Sequence, residues 1–265
     1  MTEWDAASYA RQSSLQAAMA DEELAALDLE GGERVLDVGC GDGKITAAIA
    51  GRVPRGSVVG VDPSQHMIDF ARSRFGAAEA PNLCFEVGDA RSLPFRAEFD
   101  LVVSFNALHW VPQQGLALRS IRAALRPTGR ARLRFVPGGG RKSLEDVIED
   151  VRAAPRWAGA FSGFRRPYVH CTPEEYARLS AQAGLRLEHE EVRDERWDFH
   201  TREAFVAFCR ATFVEWTQHL PAIAHDAFIA EVLDRYREVA VEAPGDENAF
   251  RFLQMEVVLA PAEGS

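Results

Sequence analysis

Short apolar runs alternate with longer stretches of mixed character through the first half of the chain. The runs are rich in valine, leucine and phenylalanine, and each has the length of a buried strand. They lie near residues 34–38, 57–62, 83–87, 99–105 and 130–136. The stretches between them are long enough for helices, so the pattern predicts an α/β fold with right-handed crossovers and a mostly parallel sheet.

The segments that flank this core also carry recognisable patterns. Leucine and methionine recur at helical spacing between residues 6 and 29, which predicts one or two helices ahead of the first strand. Pro137 and the three glycines after it predict a flexible joint. Residues 141–172 are aromatic and basic, and we interpret them either as part of a substrate lid or as a small satellite core.

The C-terminal part predicts one more helix, a strand, a helical segment and a closing strand. Thr172 and the Pro-Glu-Glu after it form a typical helix start, and we expect this helix to end at Gly184. A sixth strand is expected from Leu185. Aromatic residues at helical spacing predict helices over 201–240, and an apolar run predicts a last strand over 250–259.

The fifth strand has an unusual face. Arg130, Arg132 and Arg134 alternate with apolar residues, although a central strand is normally apolar on both sides. These arginines either extend to solvent and pair with carboxylates, or Arg134 approaches a substrate pocket. The roles of Arg165 and Arg166, in the aromatic insertion, are equally open.

Composition narrows the possible partners. The 265 residues carry a net charge of −10 and show no basic stripe, which argues against a nucleic-acid groove and against an anionic membrane surface. The four cysteines are widely spaced, no run is long enough to span a membrane, and the N-terminus lacks a signal-peptide pattern. We therefore expect a cytoplasmic protein with a small-molecule substrate. The histidines show no metal-ligand spacing, so no metal is expected, and the oligomeric state is open.

A glycine-rich turn follows the first strand. Gly39, Gly41 and Gly43 let the backbone bend sharply and let a ligand approach the main chain, and a helix begins just after them. The third glycine stands at 43, where the dinucleotide fingerprint would need it at 44. Asp62 ends the second strand about 20 residues later, which is the place of a ribose-binding carboxylate in a nucleotide-binding unit.

Asp37 to Gly43 reads D-x-G-x-G-x-G, which resembles the first motif of class I S-adenosylmethionine (SAM)-dependent methyltransferases. The resemblance implies SAM as the cofactor and an acid at Asp89 that accepts from the adenine amino group. It also implies a sheet of seven strands whose last strand is antiparallel and lies beside the fifth. The expected cofactor-binding residues are Tyr9, Asp37, Gly39, Cys40, Gly41, Gly43, Asp62, Pro63, Met67, Asp89, Ala90 and Asn106.

The resemblance implies that the chain has four parts. They are an N-terminal helical lid (1–30), a SAM-binding Rossmann-like core (31–137), a lid insertion (138–172) and the C-terminal part of the core (173–265), with a helical cap inserted at about 200–248. The bland alternative for the first part is an amphipathic helix packed on the core.

The residues after the fourth strand resemble carboxyl methyltransferases. Leu108-His109-Trp110-Val111 is similar to a motif of the trans-aconitate and juvenile hormone acid methyltransferases, and the segment that holds Tyr9 and Gln16 is similar to their openings. The resemblance implies that Gln16, His109 and Trp110 hold a substrate carboxylate as catalytic residues. His109 alternatively serves as a general base or a structural histidine, and Trp110 as a plug between sheet and lid.

The leading hypothesis is therefore O-methylation of a small-molecule carboxylate. A carboxylate is ionised at neutral pH and needs no base, whereas a phenol, an amine or a carbon acid usually does. Two alternatives are methylation of a hydroxyl, nitrogen or carbon of a specialised metabolite, and a non-enzymatic SAM-binding protein.

Overall fold

The computed structural model describes residues 14–76 and 80–262. The strands are β1 (Arg34–Val38), β2 (Ser57–Asp62), β3 (Leu83–Val87), β4 (Phe99–Phe105), β5 (Leu125–Phe135), β6 (Leu185–Asp198) and β7 (Ala249–Pro261). The helices are α1 (Ser14–Ala25), α2 (Lys44–Arg52), α3 (Gln65–Arg74), α4 (Gln114–Ala124), α5 (Leu144–Ala153), α6 (Pro173–Gln182), α7 (Arg202–Thr212), α8 (Val214–Thr217) and α9 (Ala222–Ala240). Short 3₁₀ turns cover Ala90–Ser92, Leu108–Trp110 and Ala158–Phe161.

All seven strands join one sheet in the order β3-β2-β1-β4-β5-β7-β6. Strands β1 to β5 are parallel, and β7 runs antiparallel between β5 and β6. The seven-stranded, mostly parallel arrangement expected from the resemblance is confirmed. Chain order reverses between β1 and β4, so the carboxyl ends of these two strands flank the crevice where open α/β sheets bind ligands.

The sheet is covered on both faces. Alternate residues of β1 point to opposite sides, so Val35 packs with α2 and α3 while Leu36 packs with α4 and α6. Both residues are fully buried. This two-sided burial explains why the central strands are near-continuous apolar runs.

Strand β5 begins earlier than the sequence pattern predicts. Leu125 pairs with Phe99 and Arg130 pairs with Leu101, so residues 125–129, which precede the strand predicted over 130–136, form a bulge within a longer strand. Gly129 lies in that bulge, where a Cβ atom would approach the Phe99 carbonyl oxygen to 2.8 Å. Close approach of the two backbones therefore requires glycine at this position.

The arginine face of β5 is explained by acids that lie far away in the sequence. The pairing alternative is the one observed, and Arg134 is almost fully buried, at 2% exposure. The ion pairs are Arg130 with Glu188 (2.9 Å), Arg132 with Glu256 (2.7 Å), and Arg134 with Glu22 (3.0 Å) and Glu23 (3.8 Å). Helix α1 is thereby fastened to the sheet.

Strands β6 and β7 form a ribbon that extends beyond the end of β5. Phe135 pairs with Met255, whereas β7 continues to pair with β6 as far as Ala249 opposite Asp198. In the chain, helices α7 to α9 come between β6 and β7. They pack with α5 and the aromatic side chains of residues 157–168 in a second apolar core. Among the described residues, no helix is both long enough and apolar enough to cross a membrane.

Candidate functional site

The glycine turn lies at the carboxyl end of β1. Gly39, Gly41 and Gly43 have φ values of +81°, +53° and +78°, a region that favours glycine. The amides of Gly39 and Cys40 donate to the Val61 carbonyl oxygen at 2.7 and 3.0 Å, which fixes the turn against β2. A Cβ atom on Gly39 would lie 2.2 Å from the Ala107 Cβ atom, so the loops after β1 and β4 approach closely only with glycine here.

A first cavity, which we call cavity A, opens beside this turn with a volume of about 320 Å³. Its walls come chiefly from the loops that follow β1 to β4, and Pro167 and Glu215 complete them from more distant parts of the chain. Of the predicted cofactor residues, it is lined by Gly39, Gly41, Asp62, Pro63, Met67, Asp89, Ala90 and Asn106. The two acids expected to hold the ends of an adenosine thus face the same space.

Asp62 is positioned by backbone groups. Its Oδ2 atom accepts from the Gly41 amide at 3.1 Å, and its Oδ1 atom accepts from the Ser64 amide at 2.9 Å. Burial raises the pKa of this carboxyl above its ordinary value, although both hydrogen bonds act in the opposite direction. Each oxygen retains a lone pair for a hydroxyl donor.

Asp89 is held in a different way. Arg91 donates to it from its Nε atom at 2.9 Å and from its backbone amide at 2.9 Å. This arginine lowers the pKa of Asp89, so the carboxyl is anionic at neutral pH. Arg91 itself lines cavity A, a feature the sequence did not indicate.

Asp37 is a buried acid. It is 3% exposed and lies beneath the turn, where its Oδ2 atom accepts from the Thr46 hydroxyl at 2.7 Å. Burial raises its pKa to about 7. The carboxyl braces the turn against α2 and does not line cavity A, so a contact between Asp37 and a cofactor stays a prediction. Gly43 is also internal, since its Cα packs beside Phe85 and Ala71.

A second cavity, cavity B, adjoins the first and has a volume of about 250 Å³. Gly39, Gly41, Phe105, Asn106 and Trp110 border both cavities. Much of the rest of its wall is apolar and comes from α5, from the segment that holds α7 and α8, and from β7. These side chains include Leu144, Ile148, Phe213, Trp216, Phe250 and Phe252. Cavity B therefore places apolar walls next to the glycine turn.

His109 and Trp110 lie where the two cavities meet. His109 lines cavity B and is 5% exposed, and burial lowers the pKa of its imidazole to about 3. The ring is therefore neutral at physiological pH, and its Nδ1 atom has no hydrogen-bond partner in the described protein. The ring of Trp110 packs edge-on against that of Trp216, with centroids 5.9 Å apart.

Asn106 adopts a positive φ of 55°, which asparagine tolerates better than most residues. Its backbone amide donates to the Arg134 carbonyl oxygen at 2.7 Å, and its side-chain Oδ1 atom accepts from Gln254 Nε2 at 3.0 Å. Its Nδ2 atom donates to Glu23 at 3.3 Å. The strained backbone thus fixes a side chain that touches both cavities.

Other predicted residues lie elsewhere or outside the described part of the chain. Cys40 lines cavity B. Tyr9 lies outside the described residues, and Gln16 falls within α1 but its side chain is outside the description. Arg166 pairs with Asp146 at 3.3 Å, and its guanidinium lies over the Tyr168 ring.

The sequence did not single out Glu23, Lys44 or Glu145, which also line cavity B. Glu23 is 2% exposed, and a glutamate at a buried position of an amphipathic helix is the signal that was available. The cap aromatics were expected only as core residues. The described residues contain no cluster of three or more histidine, cysteine or acidic side chains suited to a metal ion.

Comparison with known proteins places these features in context. The sequence model of a methyltransferase domain matches residues 35–129. The chain is 29% identical over 269 residues to trans-aconitate 2-methyltransferase of Variovorax paradoxus, with 97% of this chain and 98% of the relative covered. It is 33% identical to the enzyme of the same name from Methylobacterium radiotolerans, over 60% of this chain and 59% of the relative.

Solved structures share the fold. The YcgJ protein of Bacillus subtilis superposes with a TM-score of 0.67 at 18% identity, covering 94% of this chain and all of that one. Phosphoethanolamine N-methyltransferase 2 of Haemonchus contortus, in complex with S-adenosylhomocysteine, gives 0.60 at 17% identity. That match covers 94% of this chain and 53% of the nematode protein.

Proposed function

Because the chain is a class I SAM-dependent methyltransferase, we propose that it methylates a carboxylate oxygen of a small, largely apolar acid. The observation that carries this proposal is the buried, weakly basic imidazole of His109 beside the glycine turn. The names of the trans-aconitate 2-methyltransferase relatives also support an acid as the acceptor.

The residues of cavity A suit the adenosine part of SAM. Asp62 would accept from the ribose hydroxyls and Asp89 from the adenine amino group, while Met67 offers an apolar surface for the ring. Gly41 has open space where a Cβ atom would stand and lines cavity A, so a ligand can approach the backbone of the turn there. SAM, when bound, supplies a methyl group on a sulfonium that a nucleophile displaces in line.

The chain's own contribution to the reaction is positioning and the exclusion of water. An imidazole whose pKa is about 3 is a poor general base at neutral pH. An acceptor that is already ionised avoids that need, and a carboxylate has an ordinary pKa of about 4. The neutral imidazole still donates one hydrogen bond, as does the indole of Trp110.

The charge around cavity B favours an acceptor with few carboxylates. Lys44 is the only cation among the described residues that line it, whereas Glu23, Asp42 and Glu145 are acids. Several carboxylates on one substrate would be repelled by these groups. One carboxylate attached to an apolar or aromatic body matches the aromatic walls.

The test is incubation with methyl-labelled SAM and matched acceptors. For each apolar skeleton, the acid, the corresponding alcohol and the corresponding amine are compared, together with a polycarboxylate of similar size. We expect the apolar acid to be labelled and the label to be released by mild base, as for a methyl ester. Base-stable label on the alcohol or the amine, with none on the acid, would refute the carboxylate proposal.

An amine acceptor is the second candidate. Glu145 lies at the start of α5 in the wall of cavity B, and Glu23 lines the same cavity from α1. Acidic lining groups favour a cationic substrate over an anionic one. The same panel separates the two candidates, because methylated amines keep their label in base.

A further inference from the structure

One wall of cavity B holds a buried carboxyl group that the reaction described above does not use. Glu23 lies on α1 and is 2% exposed, and it borders the same space as Gly39 and Gly41. A buried carboxylate is stable only when it is paired or well hydrogen-bonded.

The partners of Glu23 within the described protein are weak. Asn106 donates to its Oε1 atom at 3.3 Å, and the Arg134 guanidinium lies 3.8 Å away. Arg134 is closer to Glu22, at 3.0 Å, so its charge is shared between two carboxylates. The pocket around Glu23 therefore favours an additional cation.

The glycine turn indicates which cation this is. Cavity A takes the adenosine, so the amino acid end of the cofactor extends past Gly39 and Gly41 into cavity B. That end is a zwitterion and calls for one anion and one cation in the wall. Glu23 and Lys44 both line cavity B at the turn.

We propose that Glu23 receives the α-ammonium group of SAM and that Lys44 lies toward its α-carboxylate. The inference rests on the methyltransferase assignment and does not depend on the acceptor. It makes α1 part of the cofactor site, because the helix that carries Glu23 is anchored to the sheet by Arg134 and Arg193 through Glu22. Cofactor binding then adds a further attachment between α1 and the glycine turn.

The electrostatics around Glu23 give this proposal a second observable. Burial raises the pKa of Glu23 to about 8, and the acids Glu22 on α1, Asp37 on β1 and Glu256 on β7 act in the same direction. Arg134 on β5 opposes them. A bound ammonium group stabilises the anion, so cofactor binding near pH 7 should expel a proton from this carboxyl.

The test is calorimetric binding of S-adenosylhomocysteine and of its deamino analogue, which lacks only the ammonium group. The wild-type protein should prefer the amino form by about 10- to 100-fold, the range for a hydrogen bond to a charged group. Glu23→Gln should bring this preference below about 3-fold by weakening the amino form alone. Glu22→Gln is the matched control, since it removes the neighbouring acid of the same ion-pair network and should keep the preference.

Two results would overturn the proposal. One is a Glu23→Gln protein that keeps the wild-type preference. The other is an equal release of protons in both proteins when binding at pH 7 is measured in buffers of different ionisation enthalpy. A thermal melt without ligand confirms that the variants fold. The carboxylate proposal is refuted by a base-stable product, whereas the present proposal is refuted by binding measurements made without an acceptor. The two failures are therefore distinguishable.

Discussion

Cavities A and B share a border but are built from different parts of the molecule. Cavity A is formed chiefly by loops that follow neighbouring parallel strands, and its key contacts are hydrogen bonds to carboxylates and backbone amides. Cavity B collects side chains from α1, α5, α7, α8 and β7, and most of them are apolar. Cavity A is therefore specified mainly by local sequence, whereas cavity B depends on long-range packing.

This difference separates the energetics of the two sites. A lost hydrogen bond or a blocked turn in cavity A should affect cofactor affinity directly. A changed aromatic residue in cavity B should affect acceptor binding and cap stability, and cofactor affinity only slightly. Variants on each side measure how independent the two regions are.

The largest effect is expected at Gly39. In Gly39→Ala, the new Cβ atom would lie 2.2 Å from the Ala107 Cβ atom at a φ of +81°, so the turn or the β4 loop has to move. We expect binding of S-adenosylhomocysteine to weaken by more than about 100-fold in calorimetry. Gly163→Ala is the control, because it has a similar φ of +76°, its Cβ atom would meet nothing within 4 Å, and it lines neither cavity. Wild-type affinity in Gly39→Ala would contradict this account of the turn.

Asp62→Ala should give the next largest loss of cofactor affinity. Two hydrogen bonds to a charged acceptor contribute about 1.5–3 kcal/mol each, so the Kd should rise by about 100-fold or more. The free energy of unfolding should fall less, by about 2 kcal/mol, since the amides of Gly41 and Ser64 lose their acceptor but remain near solvent. Calorimetry and denaturant unfolding measure the two quantities. Unchanged affinity would remove Asp62 from the cofactor site.

The second apolar core offers a matched pair of tryptophans. Trp216 donates from Nε1 to Glu149 at 2.8 Å and lines cavity B, whereas Trp157 donates to Glu231 at 2.8 Å within the same aromatic core but away from the cavity. Changing either to Phe should lower the free energy of unfolding by about 1–2 kcal/mol. Only Trp216→Phe should raise the KM for the acceptor, and neither should change the Kd for the cofactor. A changed cofactor Kd in Trp216→Phe would show that the two cavities are coupled.

The smallest effect is expected from His109, at the border of the two regions. Its pKa is about 3 in the folded protein and about 6.5 in the unfolded chain, so only the unfolded state gains this proton between those values. The contribution of the buried neutral imidazole to the free energy of unfolding is therefore present above pH 6.5 and is lost as the pH falls toward 3. Between pH 6.5 and 5.5 the loss should be about 1 kcal/mol.

His109→Gln should remove that part of the pH dependence, measured by urea unfolding at several pH values. Burial also lowers the pKa of His170, so part of the slope will remain in the variant. An unchanged slope would mean that the imidazole is not buried in its neutral form. The rate of methyl transfer in His109→Gln should show no altered basic limb, because the ring does not titrate near neutral pH.

The sequence predicted the parallel strands, the glycine turn and the placement of Asp62 because each depends on neighbouring residues. Asp37 fitted the same motif, but its final position depends on the hydrogen bond with Thr46 one turn into α2. Glu23 could not be assigned, because its surroundings come from β1, β5 and β7. The arginine face of β5 was noticed, but its partners lie in α1, β6 and β7.

The long ribbon of β6 and β7 has a consequence for how this enzyme diversifies. The chain departs from the sheet at Asp198 and rejoins it at Ala249, and these two residues face each other across the ribbon. The segment between them, residues 199–248, leaves the sheet and returns to it, and the pairing of β6 with β7 holds its two ends together. A replacement segment of different length or composition would have to join those two ends, and of the described residues that line cavity A only Glu215 lies within the exchanged segment. Part of the wall of cavity B can thus change through exchange of this one segment, while the seven strands of the sheet stay the same.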